Sequence, residues 1–216
     1  MQNERIKSFT AHRSRVNGEK LVNLQTNLLP RWEIKHFNEI ETGGGVSLEI
    51  GSGFGQTVTH LAKNNQKTQF IACEVFIDGI SAICSKIEEN ALQNIRIYKN
   101  DARILLEEVP SGGLESVYLL FPDPWPKKKH HKRRILTEEF LAEIKRVMKP
   151  RGKLWIATDD HSYQEWMIEV FETQEHLIWE NERDYLREPA WWVKTKFQMK
   201  AEEAGRISNF FVLGSQ

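Results

Sequence analysis

From Val46 onward the chain repeats one pattern five times, a short apolar run rich in β-branched residues followed by an amphipathic stretch. The runs are VSLEI at 46–50, QFIACEV at 69–75, IRIYKN at 95–100, SVYLLF at 116–121 and KLWIAT at 153–158. Runs this short suit strands buried on both faces, and the stretches between them are long enough to cross over as helices. The clearest helix spans 137–148. There Thr137 is placed to cap, Glu138 and Glu139 suit the positive end, and Phe140, Leu141, Ile144, Val147 and Met148 form one stripe. The pattern predicts an α/β fold with a doubly wound parallel sheet. In such sheets ligands collect where the carboxyl ends of the strands open into loops.

The flanks add less. Residues 1–40 carry seven Lys or Arg against four Glu, with Leu21, Leu24, Leu28 and Leu29 spaced for one helical face, which reads as a basic N-terminal arm ahead of a single domain at 41–216. The stretch 178–216, with Trp191, Trp192 and the run NFFVL, predicts a closing antiparallel hairpin. The longest wholly apolar run is five residues, Val117–Phe121, far short of the roughly 20 that cross a bilayer. With no apolar signal segment at the N-terminus, a cytoplasmic protein without membrane partners is expected. Cys73 and Cys84, with ten residues between them, fit neither a redox pair nor a zinc knuckle and read as buried hydrophobes. Adjacent His130 and His131 lack an acidic partner at ligand spacing, so no metal is expected. Lys and Arg balance Asp and Glu at 30 each, yet 127–134 reads KKKHHKRR with no acid.

Chemistry-bearing motifs fall at the strand ends. The first strand runs into Glu49-Ile50-Gly51-Ser52-Gly53-Phe54-Gly55, a glycine turn that allows positive φ and close approach to a ligand. Gln56 breaks the dinucleotide fingerprint, and no G-K-[ST] follows. Glu49 would repel a pyrophosphate but suits a ligand carrying an ammonium, as S-adenosyl-L-methionine does. Glu74, 25 residues further on, stands where these folds place an acid for ribose hydroxyls. Asp101 ends the third strand, where a carboxylate can accept from an adenine amine. The fourth strand ends in Phe121-Pro122-Asp123-Pro124-Trp125-Pro126-Lys127. Prolines stiffen that loop, Asp123 can accept N1–H and N2–H of a guanine, and Trp125 offers a stacking face. The basic run beside it suits a phosphate backbone held while one base is presented.

These residues, with Ala157-Thr158-Asp159 and Thr195-Lys196-Phe197-Gln198, resemble the bacterial tRNA (guanine-N7)-methyltransferases over about residues 45–212. The most specific element is FPDPWPK followed by the basic run. The resemblance implies a class I methyltransferase with a Rossmann-like, seven-stranded sheet, S-adenosyl-L-methionine as donor, and guanine 46 of the tRNA variable loop as acceptor. It implies cofactor contacts from Glu49, Gly51, Gly53, Gly55, Glu74, Asp101 and Asp123, with Asp123 also catalytic. Lys127, Asp159, Thr195, Lys196, Phe197 and Gln198 would contact substrate, and Lys129, His130, His131, Lys132, Arg133 and Arg134 would contact RNA. The sequence leaves monomer and homodimer both open. The family commonly has Glu where this chain has Gln198, and His12-Arg13-Ser14-Arg15 matches its arginine-glycine pattern only loosely.

Two other readings compete. One is methylation of an exocyclic base amine, which D-P-P-[YFW] loops serve; here the order is P-D-P-W. The other is a non-catalytic RNA-binding module on the same fold, against which the retention of all four acids argues.

Overall fold

The computed structural model describes residues 14–215. His12 and Arg13 of the arm lie outside them. Strands are β1 (Glu33–Ile34), β2 (Val46–Ile50), β3 (Gln69–Cys73), β4 (Ile95–Tyr98), β5 (Leu114–Leu120), β6 (Met148–Thr158), β7 (Ile178–Trp179) and β8 (Asn209–Gly214). Helices are α1 (Gly18–Asn23), α2 (Leu29–Trp32), α3 (Gln56–Asn64), α4 (Ile77–Glu89), α5 (Ala102–Glu108), α6 (Glu138–Val147), α7 (His161–Thr173) and α8 (Lys196–Glu203).

The eight strands of the described residues form one sheet in the order β1-β4-β3-β2-β5-β6-β8-β7. The five runs read from the sequence are its parallel core, and β8 closes it by pairing antiparallel with both β6 and β7. The sheet has eight strands where seven were expected. The addition is β1, two residues that pair parallel with β4 through Glu33↔Ile97 and Ile34↔Tyr98. A segment that short shows no alternation in sequence and exists only because a neighbouring edge is free to take it.

Every residue of β2 is buried, as a strand covered on both faces requires. On one face Val46, Leu48 and Ile50 pack with Leu105 of α5, Ile144 of α6 and Met167 of α7. On the other, Phe70, Ala72, Ile95 and Ile97 pack with Leu61 of α3, Ile83 of α4, Leu24 of the π-helical turn Leu24–Leu28 and Trp32 of α2. Helix α6 starts as its sequence dictates: Thr137 Oγ1 accepts the Phe140 N–H at 3.2 Å, and Phe140, Leu141, Ile144 and Val147 are buried. At roughly 1.5–3 kcal/mol per buried side chain, that stripe outweighs the modest helix propensity of ten residues.

The chain reverses direction across the sheet between β2 and β5. From β2 it runs outward through β3 and β4, then returns to place β5 on the other side of β2. The register Ile50↔Leu119 sets the glycine turn after β2 beside the proline loop after β5. Such a switch point is where an open α/β sheet gapes at its carboxyl edge.

Candidate active site

A cleft of about 980 Å³ opens at that switch point. Gly51, Gly53 and Gly55 all take left-handed φ, at 73°, 52° and 73°. Gly51 and Gly53 line the cleft, whereas Gly55 serves as the N-cap of α3. The turn is packed from behind by Gly79 of α4, where any Cβ would collide with the Gly53 carbonyl oxygen.

The carboxylates at the strand ends have unequal surroundings. Glu49 is 4% exposed and its Oε2 accepts the Val58 N–H at 3.1 Å. Burial pushes its pKa up to about 8, against hydrogen bonds that pull it down and with Glu74 adding to the rise. Glu74 accepts three backbone N–H groups at 2.7 Å each, from Gly53 on Oε2 and from Val75 and Phe76 on Oε1. Burial is again the main cause raising its pKa, and those three bonds oppose it. A carboxylate has about four acceptor positions, so one remains for a ligand hydroxyl. Asp101 caps α5 through the Arg103 N–H at 3.0 Å and holds the Arg103 guanidinium with both oxygens, at 2.9 and 2.6 Å.

The proline loop forms the opposite wall. Phe121 and Trp125 both hold positive φ, at 51° and 46°, a conformation that costs non-glycine residues on the order of 1–3 kcal/mol and persists only where surroundings impose it. Two bonds impose it here. The Phe121 N–H donates to the Ala157 carbonyl at 2.7 Å, and Arg134 Nε donates to the Pro124 carbonyl at 2.9 Å. Between them Asp123 is exposed and lines both the main cleft and a smaller cavity beside it.

The basic run folds as a 3₁₀ helix over Lys128–Arg133, and its members part ways. Lys127, Lys129 and Lys132 are exposed. Arg133 lies 4.8 Å over the Trp125 ring and His130 meets the ring edge-on, so one partner for Trp125 is already intramolecular. His131 packs against Trp166. Arg134 corrects the sequence reading of six RNA contacts. It is 3% exposed, donates to Pro124 and to Ser162 Oγ, and stacks over Tyr163 and Trp166, so it anchors the loop from inside.

The remaining candidates divide similarly. Thr195 caps α8 by accepting the Gln198 N–H at 3.1 Å, and Lys196 enters the cleft with its Nζ 5.1 Å from the Phe54 ring. Phe197 lies within α8. Gln198 is 2% exposed and does not line the cleft. Its Oε1 accepts from Trp192 Nε1, and its Nε2 donates to Glu188 and Glu202. A carboxylate there would face two others, which gives the amide a physical reason at this position. Asp159 accepts from Arg206 Nε at 2.7 Å and lines the smaller cavity.

Thr57 escaped the sequence reading. It lines the cleft on the first turn of α3, and its buried Oγ1 has no hydrogen-bond partner among the described residues. An orphaned hydroxyl beside Glu49 is what a site built for a zwitterionic amino-acid group presents. Both cysteines are free and buried. Among the described residues no cluster of His, Cys, Asp and Glu is arranged to hold a metal, and no helix is long and apolar enough to span a membrane.

This strand order with an acid-lined cleft at its switch point defines a class I methyltransferase. A solved structure of the same architecture is the aminoglycoside resistance methyltransferase NpmB1, with a TM-score of 0.56 at 17% identity over 83% of this chain and 91% of that one. The chain belongs to the bacterial tRNA (guanine-N7)-methyltransferase family. Residues 44–209 match the family model described as a putative methyltransferase. The tRNA (guanine-N(7)-)-methyltransferase of Agrobacterium fabrum is 38% identical over 76% of this chain and 72% of its own length. The protein of that name from Nitrosomonas europaea is 36% identical over 83% of each.

Proposed function

We propose that the protein transfers a methyl group from S-adenosyl-L-methionine to N7 of guanine 46 in the tRNA variable loop, as a cytoplasmic enzyme. The observation that carries this reading is one cleft lined by Glu49, Thr57, Glu74 and Asp101 together with Asp123, Trp125 and Lys196. Four of these residues suit the donor: Glu49 and Thr57 would face its amino-acid group, Glu74 keeps one acceptor position for a ribose hydroxyl, and Asp101 would meet the adenine. S-adenosyl-L-methionine, when bound, supplies an electrophilic methyl on a sulfonium.

This chain's residues then have a restricted task. Guanine N7 carries an in-plane lone pair, so no residue needs to remove a proton before attack. Asp123 orients the base through its N–H edge and offsets the positive charge that develops on it. The stiff proline loop keeps that carboxylate in place, which puts most of the acceleration into alignment. Incubation with labelled S-adenosyl-L-methionine and bulk tRNA, followed by nucleoside analysis, should give 7-methylguanosine. Label in an exocyclic amine, or none, would overturn the reading.

Glu49 makes cofactor binding proton-linked. With a pKa of about 8, the unliganded carboxyl is mostly protonated at pH 7, and a neighbouring ammonium favours its ionised form. Binding therefore releases a proton, and the contribution of Glu49 to affinity rises with pH until about 8. Calorimetric titration at pH 7 in two buffers of different ionisation enthalpy should show net proton release on binding. Glu49→Gln should abolish it; an unchanged count would remove Glu49 from the donor site.

The exposed lysines of the basic run are expected to grip phosphates without reading sequence. Lys129→Gln with Lys132→Gln should flatten the salt dependence of tRNA binding by roughly 0.7–0.9 log units per lost contact. Cofactor affinity should stay unchanged. A salt slope equal to that of the wild type would make these lysines merely solvated.

A further inference from the structure

The smaller cavity, about 370 Å³, lies against the main cleft and shares Asp123 with it. Its acids and its bases come from two different walls. Asp123, Asp159 and Asp160 come from the carboxyl ends of β5 and β6, while Lys200 and Arg206 come from α8 and the turn behind it. Lys200 follows Lys196 by one helical turn and lines both cavities, so it stands at their junction. Its ammonium makes no ion pair among the described residues. Arg206 commits Nε to Asp159 Oδ2 at 2.7 Å, and its side chain is half exposed. A guanidinium has five N–H donors, so both terminal nitrogens remain available.

A ligand that matches this polarity carries N–H donors and developing positive charge at one end and an anion at the other. A guanosine within a phosphodiester chain does both. A base taken out of its stack swings about its flanking phosphates, so fixing a phosphate fixes the distance of the base from Asp123. A cation at the base end would oppose methylation, whereas on the α8 wall it is spent on the backbone.

We propose that Lys200 and Arg206 form a clamp for a phosphate flanking the target guanosine, with Arg206 bridging that phosphate and Asp159. The proposal rests on the guanine-N7 reading and adds a nucleotide subsite to it. The test uses the full-length enzyme and tRNAs in which the phosphodiester on one side of the target guanosine, then on the other, is an uncharged methylphosphonate. Single-turnover methylation by the wild type should fall about 10- to 100-fold for one of the two linkages, the scale of a lost charge-assisted hydrogen bond.

Lys200→Gln should show a comparable loss on unmodified tRNA and little further loss on the neutral linkage, because partner and phosphate are parts of one contact. Arg206→Gln should likewise lose less on the neutral tRNA than on the natural one. A purely structural role for either residue would leave the linkage effect at full size. Losses that multiply for both variants, or a wild type indifferent to both linkages, would overturn the clamp. A wild type that forms no 7-methylguanosine on unmodified tRNA would instead overturn the functional reading beneath it.

Discussion

Asp123→Asn should lower the turnover of methyl transfer by a factor on the order of 10² to 10³, the scale of losing one preorganised electrostatic contact. The amide keeps one acceptor oxygen but loses the charge and one of the two acceptor sites that face a guanine edge. Turnover should fall far more than tRNA affinity, which phosphate contacts dominate. Single-turnover rates at saturating tRNA isolate the effect. The pH profile decides the role as well. If Asp123 orients and offsets charge, wild-type single-turnover rates show no limb for deprotonation of the acceptor near neutrality, because N7 has no proton to lose. A variant that turns over at the wild-type rate would remove Asp123 from the site, and a rate limb traceable to Asp123 accepting a proton would replace orientation with base catalysis.

Arg134→Gln is expected to be the most destabilising change in the basic run, by about 2–4 kcal/mol, read as a shift in the urea midpoint. The variant leaves the Pro124 carbonyl without its donor and strips the cation from between Tyr163 and Trp166. Released from that anchor, the loop has less to hold Trp125 at positive φ, and turnover should fall with stability. Arg134→Lys should rescue little, because an ammonium has no planar face to stack and no fork to bridge Pro124 and Ser162. The salt slope of tRNA binding should not move. That combination is the reverse of the one expected for Lys129 and Lys132, so the two sets of variants separate anchor from grip within one run. A stable Arg134→Gln enzyme with a flattened salt slope would return Arg134 to the RNA-facing set.

The difference between Arg134 and its neighbours could not be read from KKKHHKRR. Within a run of like charge, composition predicts solvation equally for every member, and only the position of α7 beneath the loop decides which cation is swallowed. Gln198 makes the same point from the other direction. The resemblance offers it as a substrate contact, yet its amide is engaged by Trp192, Glu188 and Glu202 in a buried network. Thr57, Lys200 and Arg206 were invisible for a related reason: each is an ordinary residue on an amphipathic helix or turn, without motif spacing, and becomes part of a cavity wall only by juxtaposition.

The sequence by itself determined the parallel core, the cap of α6, the antiparallel closure and the strand-end acids, because period, capping chemistry and glycine turns act over a few residues and leave local signatures. Tertiary structure alone decided the eighth strand, the burial that lifts Glu49 to about 8, the committed bonds of Glu74 and Asp101, and the pairing of Arg206 with Asp159. Desolvation, edge pairing and charge pairing depend on which atoms are brought within a few ångströms across the chain, and that distance is set by the packed sheet, not by neighbours in sequence.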